Sequence, residues 1–175
     1  IFIFSLPRSG STLLQKIIAS SDKVSTASDP WILLPLVYMH KKTGIISEYS
    51  HSKANKAFEQ ISYKLSENSK CYDEYLKEFV LSIYKGLSEE KSIFFLDKTP
   101  RYYLIIKEIE KLFPESKFIF LFRNPLSIYS SKLNTRRNNS FKYLYSDNID
   151  LIYGNKLLAD GYFEFHNKSI KILYN

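Results

Sequence analysis

Cysteine, methionine and tryptophan occur once each in this chain, beside five glycines and six prolines. The lone Cys71 excludes an intramolecular disulfide and any multi-cysteine zinc centre. Such cysteine usage fits a reducing compartment, and a cytoplasmic location is the expectation. So little glycine and proline leaves no low-complexity region or flexible linker, and no internal repeat is visible. A single domain over residues 1–175 is expected. No apolar run approaches the roughly 20 residues that span a bilayer, and no signal peptide is visible. His40, His51 and His166 lack metal-ligand spacing to one another, so no metal is expected. Like charges never cluster in long blocks. The net charge of +7 favours anionic partners, either nucleotides or nucleic acid, although a solvated basic surface accounts for most single lysines. The chain opens without Met in one strand-like run and closes in another, Ile170 to Tyr174, so the domain is expected to be incomplete at both ends.

What is present is concentrated first at the N-terminus. Ile1-Phe2-Ile3-Phe4-Ser5-Leu6 reads as a buried strand. Pro7-Arg8-Ser9-Gly10-Ser11-Thr12 is a short polar turn, and Leu13 to Ile18 carries apolar residues at helical spacing. Strand, tight turn and helix N-terminus make an anion site, because first-turn N–H groups have no helical partners. Gly10 allows close backbone approach. Ser9, Ser11 and Thr12 add hydroxyls, and Arg8 adds a planar cation suited to phosphate or sulfate oxygens.

Lys23 to Ser28 is a short strand candidate. Asp29-Pro30-Trp31 predicts a helix start, with Asp29 as N-cap and Pro30 at the first helical position. Amphipathic helices are expected over about Ser52–Leu65 and Tyr72–Lys85, the second stopped by Gly86. Ser92 to Leu96 predicts a strand, Tyr102 to Phe113 a helix ended by Pro114, and Lys117 to Phe122 another strand. Pro125 suits a further helix start. Arg136-Arg137-Asn138-Asn139 reads as a basic loop, solvated or touching a ligand. A long helix is expected from Asn148 to His166, then the last strand. Strands alternating with helices argue for a three-layer α/β/α fold with a central parallel sheet.

Ligands of such sheets sit beyond the carboxyl ends of the strands. There the chain delivers Arg8, then Asp97-Lys98-Thr99, then Arg123: three cations to one edge. A P-loop for ATP or GTP requires G-x-x-x-x-G-K-[ST]; here Gly10 stands where that Lys would be, which weakens a kinase or nucleotidase reading. A non-catalytic binder of nucleotide or nucleic acid has only the charge in its favour, and no nucleic-acid motif accompanies it.

At these residues the chain resembles a known family. Pro7-Arg8-Ser9-Gly10-Ser11-Thr12-Leu13-Leu14 is similar to the 5′-phosphosulfate loop of sulfotransferases. Arg123-Asn124-Pro125 with Ser131 resembles their 3′-phosphate motif. Phe95-Leu96-Asp97-Lys98-Thr99-Pro100 is similar to a segment of the branch holding tyrosylprotein sulfotransferases and related bacterial enzymes. The resemblance implies a P-loop-like sulfotransferase fold, 3′-phosphoadenosine 5′-phosphosulfate (PAPS) as donor, no catalytic metal, and a hydroxyl acceptor that could be a small molecule, a sugar or a peptide tyrosine. It implies that Arg8 clamps the sulfuryl end while Ser9, Gly10, Ser11 and Thr12 hold the bridging phosphate. Lys98 would neutralise charge on the leaving phosphate, and Arg123 and Ser131 would bind the 3′-phosphate, with Ser130 the near alternative to Ser131. Asp29 falls where that branch carries its catalytic Glu, so it stands both as base and as N-cap. His40 is the competing base, by similarity to cytosolic sulfotransferases. Asp97 reads as a turn or cap residue.

Overall fold

In a computed structural model, which describes residues 1–68, 70–135 and 149–174, the opening apolar run forms β1 (Phe2–Ser5), buried throughout. It pairs in parallel with β4 (Phe118–Arg123), Phe2 opposite Phe118 and Ser5 opposite Leu121. β4 pairs in parallel with β5 (Ser169–Tyr174), which sets Arg123 opposite Tyr174. On the other side, β2 (Val24–Thr26) and β3 (Phe94–Leu96) form a parallel pair. A bridge between Phe2 and Asp97 joins that pair to β1, supported by Ile3 N–H donating to the Asp97 carbonyl at 3.1 Å. The strand order is therefore β2-β3-β1-β4-β5. From β1 the chain travels one way, through α1 (Ser11–Ile18) to β2; from β3 it crosses back to β4. The direction reverses between β1 and β4, and a crevice opens beyond the carboxyl ends of strands at such a switch.

Period-two alternation sorts the strand residues to two faces. Phe2, Phe4, Phe118 and Phe120 join Leu33, Val80, Tyr102, Ile109 and Leu158 in the larger core. Ile3, Leu96 and Ile119 face the other way, against Leu14 and Ile18 of α1. The larger core draws on α2 (Leu33–Val37), α4 (Tyr72–Leu87), α5 (Ile106–Leu112), α6 (Pro125–Thr135) and α7 (Gly154–Glu164), while α3 (His51–Asn68) adds Phe58 beside α4. Helices thus flank a central parallel sheet, as expected from the pattern. Among the described residues no helix is long and apolar enough to cross a membrane.

Several local expectations are corrected. Asp29 does not cap a helix at Pro30: α2 begins at Leu33, and Asp29 (φ 35°) and Trp31 (φ 54°) adopt left-handed backbone conformations. Tertiary bonds capture both residues, the Asp29 carboxylate on Lys98 and the Trp31 N–H on Thr99 Oγ1 at 3.2 Å. Gly86 does not stop α4, which runs to Leu87; Ser88 turns extended there and its hydroxyl donates to the Tyr84 carbonyl at 2.8 Å. The helix expected over Tyr102–Phe113 divides into a 3-10 turn (Tyr102–Leu104) and α5, between a left-handed Arg101 and an Ile105 at φ −136°. The last long helix begins as a π-helical turn (Ile149–Tyr153) before α7. Arg136-Arg137-Asn138-Asn139 and Asn148 lie outside the described residues.

Candidate active site

The turn after β1 is built by two residues with positive φ, Arg8 at 71° and Gly10 at 86°. Gly10 is the N-cap of α1 and among the described residues no side chain caps that helix; Leu13 N–H donates back to the Gly10 carbonyl at 3.0 Å, which leaves the amides of Ser11 and Thr12 to an external acceptor. A Cβ at Gly10 would lie 3.2 Å from the Tyr174 ring, in a backbone conformation that disfavours any side chain. Ser9 is fully buried and its Oγ has no hydrogen-bond partner among the described residues. Buried polar atoms are rarely left so.

Arg123 ends β4, and Asn124 alone separates it from α6. There Asn124 Oδ1 accepts the Leu126 N–H at 2.9 Å and Pro125 occupies the first helical position. Its guanidinium donates to the Arg8 carbonyl at 2.7 Å and lies 5.0 Å from the centre of the Tyr174 ring. Arg123 Nε is buried without a partner among the described residues. The Arg8 side chain turns toward α6, its Nε 3.3 Å from Ser131 Oγ and its Nη2 2.9 Å from Thr135 Oγ1. An open groove of about 600 Å³ results, lined by Arg8, Arg123, Ser127, Ser130, Ser131 and Thr135. Two arginines with serine and threonine hydroxyls, and no carboxylate among the described lining residues, suit an anion.

Lys98, 3 % exposed at the side chain, forms an ion pair with Asp29, which is 37 % exposed, and reaches Thr12 Oγ1 at 3.4 Å. The structure thus brings Lys98, Asp29 and the start of α1 together. It does not bring His40 there: that ring stands edge-on to Phe58 and Tyr72, with Nε2 3.6 Å from Asp73, beside a separate cavity of about 510 Å³.

Three features escaped the sequence reading. Thr135 lies one helical turn beyond Ser131, a spacing that could have revealed it. Tyr174, under both Gly10 and Arg123, left no signal. The third is Asp150, 2 % exposed, which accepts from Tyr103 and pairs with Lys132 at 3.0 Å and Arg101 at 3.2 Å. Burial pushes the Asp150 pKa up, but hydrogen bonds from Tyr103 and Lys132 and the charges of Lys132 and Arg101 outweigh it and hold the carboxyl below its ordinary value. Asp150 ties α6, which carries the groove, to the segment after Lys98.

The parallel sheet, the strand–turn–helix unit and the cations at the ends of β1, β3 and β4 define an α/β protein with a cationic edge at its switch point. The chain belongs to the sulfotransferase family, whose model matches residues 1–169. Among curated proteins it is 25 % identical over 140 residues to nodulation protein NoeE of Sinorhizobium fredii (strain NBRC 101917 / NGR234), covering 77 % of this chain and 31 % of that protein. Among solved structures, sulfotransferase STF9 from Mycobacterium avium superposes with a TM-score of 0.57 at 12 % identity, covering 99 % of this chain and 58 % of that one. The likeness to STF9 concerns the fold. The chain spans under a third of NoeE and little more than half of STF9.

Proposed function

We propose that this domain transfers a sulfuryl group from PAPS to an acceptor hydroxyl by in-line displacement. The observation that carries the reading is the pairing of two anion sites at one sheet edge, each with a buried polar atom lacking a partner: Ser9 Oγ in the turn and Arg123 Nε in the groove. PAPS has anionic groups at two separated ends, and the residues present fit such a group. When bound it would supply a sulfuryl group on a phosphate leaving group. The amides and hydroxyls of Ser9, Gly10, Ser11 and Thr12 would hold the 5′ end, and Arg123 and Ser131 the 3′-phosphate. Arg8, whose backbone shapes the turn and whose guanidinium lies on α6, would join the two halves. Lys98 would offset charge developing on the leaving phosphate. Asp29 would accept the proton of the attacking hydroxyl. Its pairing with Lys98 favours this role over the capping role, since it caps no helix.

Calorimetry with adenosine 3′,5′-bisphosphate on the full-length protein tests the reading. Wild type should bind, and Arg123→Ala should weaken binding at least about tenfold, the loss expected when a charge-assisted bond to phosphate is removed. A wild type that does not bind would overturn it.

A further inference from the structure

Asp97 is fully buried at the end of β3, beside Lys98, and three hydroxyls converge on it. Thr99 Oγ1 donates to Oδ1 at 2.9 Å; Tyr102 Oη and Tyr84 Oη donate to Oδ2 at 3.1 and 2.5 Å. Two of these hydroxyls pass the bond onward. Thr99 Oγ1 accepts the N–H of Trp31 at 3.2 Å, and Tyr102 Oη accepts the N–H of Leu33 at 3.3 Å. From these contacts we infer that Asp97 is a positioning residue for the Lys98–Asp29 pair, acting through two hydroxyl relays that end on the backbone of residues 29–33. The functional half of this inference rests on the sulfuryl-transfer reading; the structural half does not.

A hydroxyl has one proton and two acceptor sites. An ionised carboxylate can only accept, so each hydroxyl points its O–H at Asp97, which leaves the hydroxyl oxygen free to accept from an amide. The direction of both relays is therefore set by Asp97. What they hold needs holding, because Asp29 and Trp31 occupy a backbone region that persists only when the surroundings over-determine it. Leu33 opens α2, which no side chain caps, so its amide is one of the orphan donors that Tyr102 satisfies. With the segment fixed, the Asp29 carboxylate meets the ammonium of Lys98, the residue next to Asp97. One carboxylate thus places Lys98 through the chain and Asp29 through the relays.

A purely stabilising role fits poorly. Burial raises the Asp97 pKa against the pull of its three donors, so the ionised form is penalised in the folded protein. Tyr84 supplies an internal control. Its hydroxyl donates to the same carboxylate from α4, but among the described residues it carries no bond to the 29–33 segment.

The test compares Asp97→Asn, Thr99→Val, Thr99→Ser, Tyr102→Phe and Tyr84→Phe in the full-length protein, reading amide hydrogen exchange at Trp31 and Leu33 alongside sulfuryl transfer. Thr99→Val should speed exchange at Trp31, and Tyr102→Phe at Leu33, each about tenfold, the scale of one hydrogen bond. Asp97→Asn should speed both. Transfer kcat should fall about 10- to 100-fold in Thr99→Val, as misplacement of a reacting group predicts, while affinity for adenosine 3′,5′-bisphosphate stays within about threefold. Thr99→Ser should restore exchange and kcat, and Tyr84→Phe should leave both near wild type. Unchanged exchange at Trp31 in Thr99→Val overturns the inference, as does faster exchange with undiminished kcat. A wild type that transfers nothing defeats the sulfuryl-transfer reading instead, and exchange still decides whether the relays hold the segment.

Discussion

Replacing Ser9 with alanine should make the nucleotide-free protein more stable and its ligand binding weaker. Ser9 is fully buried and its hydroxyl has no partner. In the unfolded chain that hydroxyl is hydrated, so folding forfeits about 1–3 kcal/mol at this position. Alanine removes the penalty and leaves a void of one oxygen, which returns less than about 1 kcal/mol. The net gain is about 0.5–2 kcal/mol, or a rise in Tm of roughly 2–4 °C per kcal/mol for a domain of this size. Binding should move the other way. A hydroxyl donating to an anionic oxygen contributes about 1.5–3 kcal/mol, so affinity for adenosine 3′,5′-bisphosphate should drop roughly 10- to 150-fold.

Urea unfolding without nucleotide gives the first number and calorimetry the second. The opposed signs are the point of the experiment. Destabilisation by Ser9→Ala would mean that the hydroxyl is satisfied in the folded state, and the argument from an orphan atom would fail. Stabilisation with unchanged affinity would mean that the orphan is real but serves no ligand, which would remove Ser9 from the site.

Two other outcomes follow from the same geometry. Gly10→Ala should cost about 1–2 kcal/mol because the position sits at φ 86°; in a Tyr174→Ala background, which frees the space a Cβ would meet at 3.2 Å, the cost should change by less than about 0.5 kcal/mol. A larger coupling in that double-mutant cycle would show that the ring, not the backbone, demands glycine. Asp150 is held below its ordinary pKa, so its ionised form adds stability that is fully present above the unfolded value and is lost as pH falls through the lower folded one. The stability difference between wild type and Asp150→Asn in urea should therefore be flat from about pH 7 to 5 and shrink below about pH 4; a difference that grows on acidification would refute the assignment.

The strands and the turn after β1 were legible because their signals are local: apolar runs bounded by polar turns, and Gly10 where φ is positive. Lys98 and Arg123 were legible because a parallel sheet collects whatever follows its strands. The capping half of the Asp29 expectation failed for the opposite reason. Asp-Pro is a strong local signal for a helix start, and a buried lysine about seventy positions along the chain outcompeted it. The resemblance implied that Arg8 clamps the sulfuryl end of a donor; that its guanidinium crosses to Ser131 and Thr135 depends on how α6 packs, which the turn itself does not announce. Tyr174 could not have been found: its place beneath Gly10 depends on the register of β5 on β4, which no feature of the last strand announces.

Backbone strain marks the same edge of the sheet as the charges do. Among the described residues, the non-glycine residues with positive φ are Arg8, Asp29, Trp31 and Arg101, and they follow β1, β2 and β3. Each such residue costs on the order of 1–3 kcal/mol unless its surroundings fix it, and here the fixing contacts can be named. The Arg8 carbonyl takes Arg123, Asp29 takes Lys98, Trp31 takes Thr99, and Arg101 takes Asp150. Three of these four contacts run between segments that follow different strands; the fourth, to Asp150, reaches the π-helical turn before α7. The edge therefore behaves as a linked frame rather than a set of separate loops. On the proposed reading, a frame of this kind would keep the Arg8–Thr12 turn, the Arg123 groove and the Lys98–Asp29 pair in register before any ligand arrives, which is what electrostatic stabilisation of a developing charge requires.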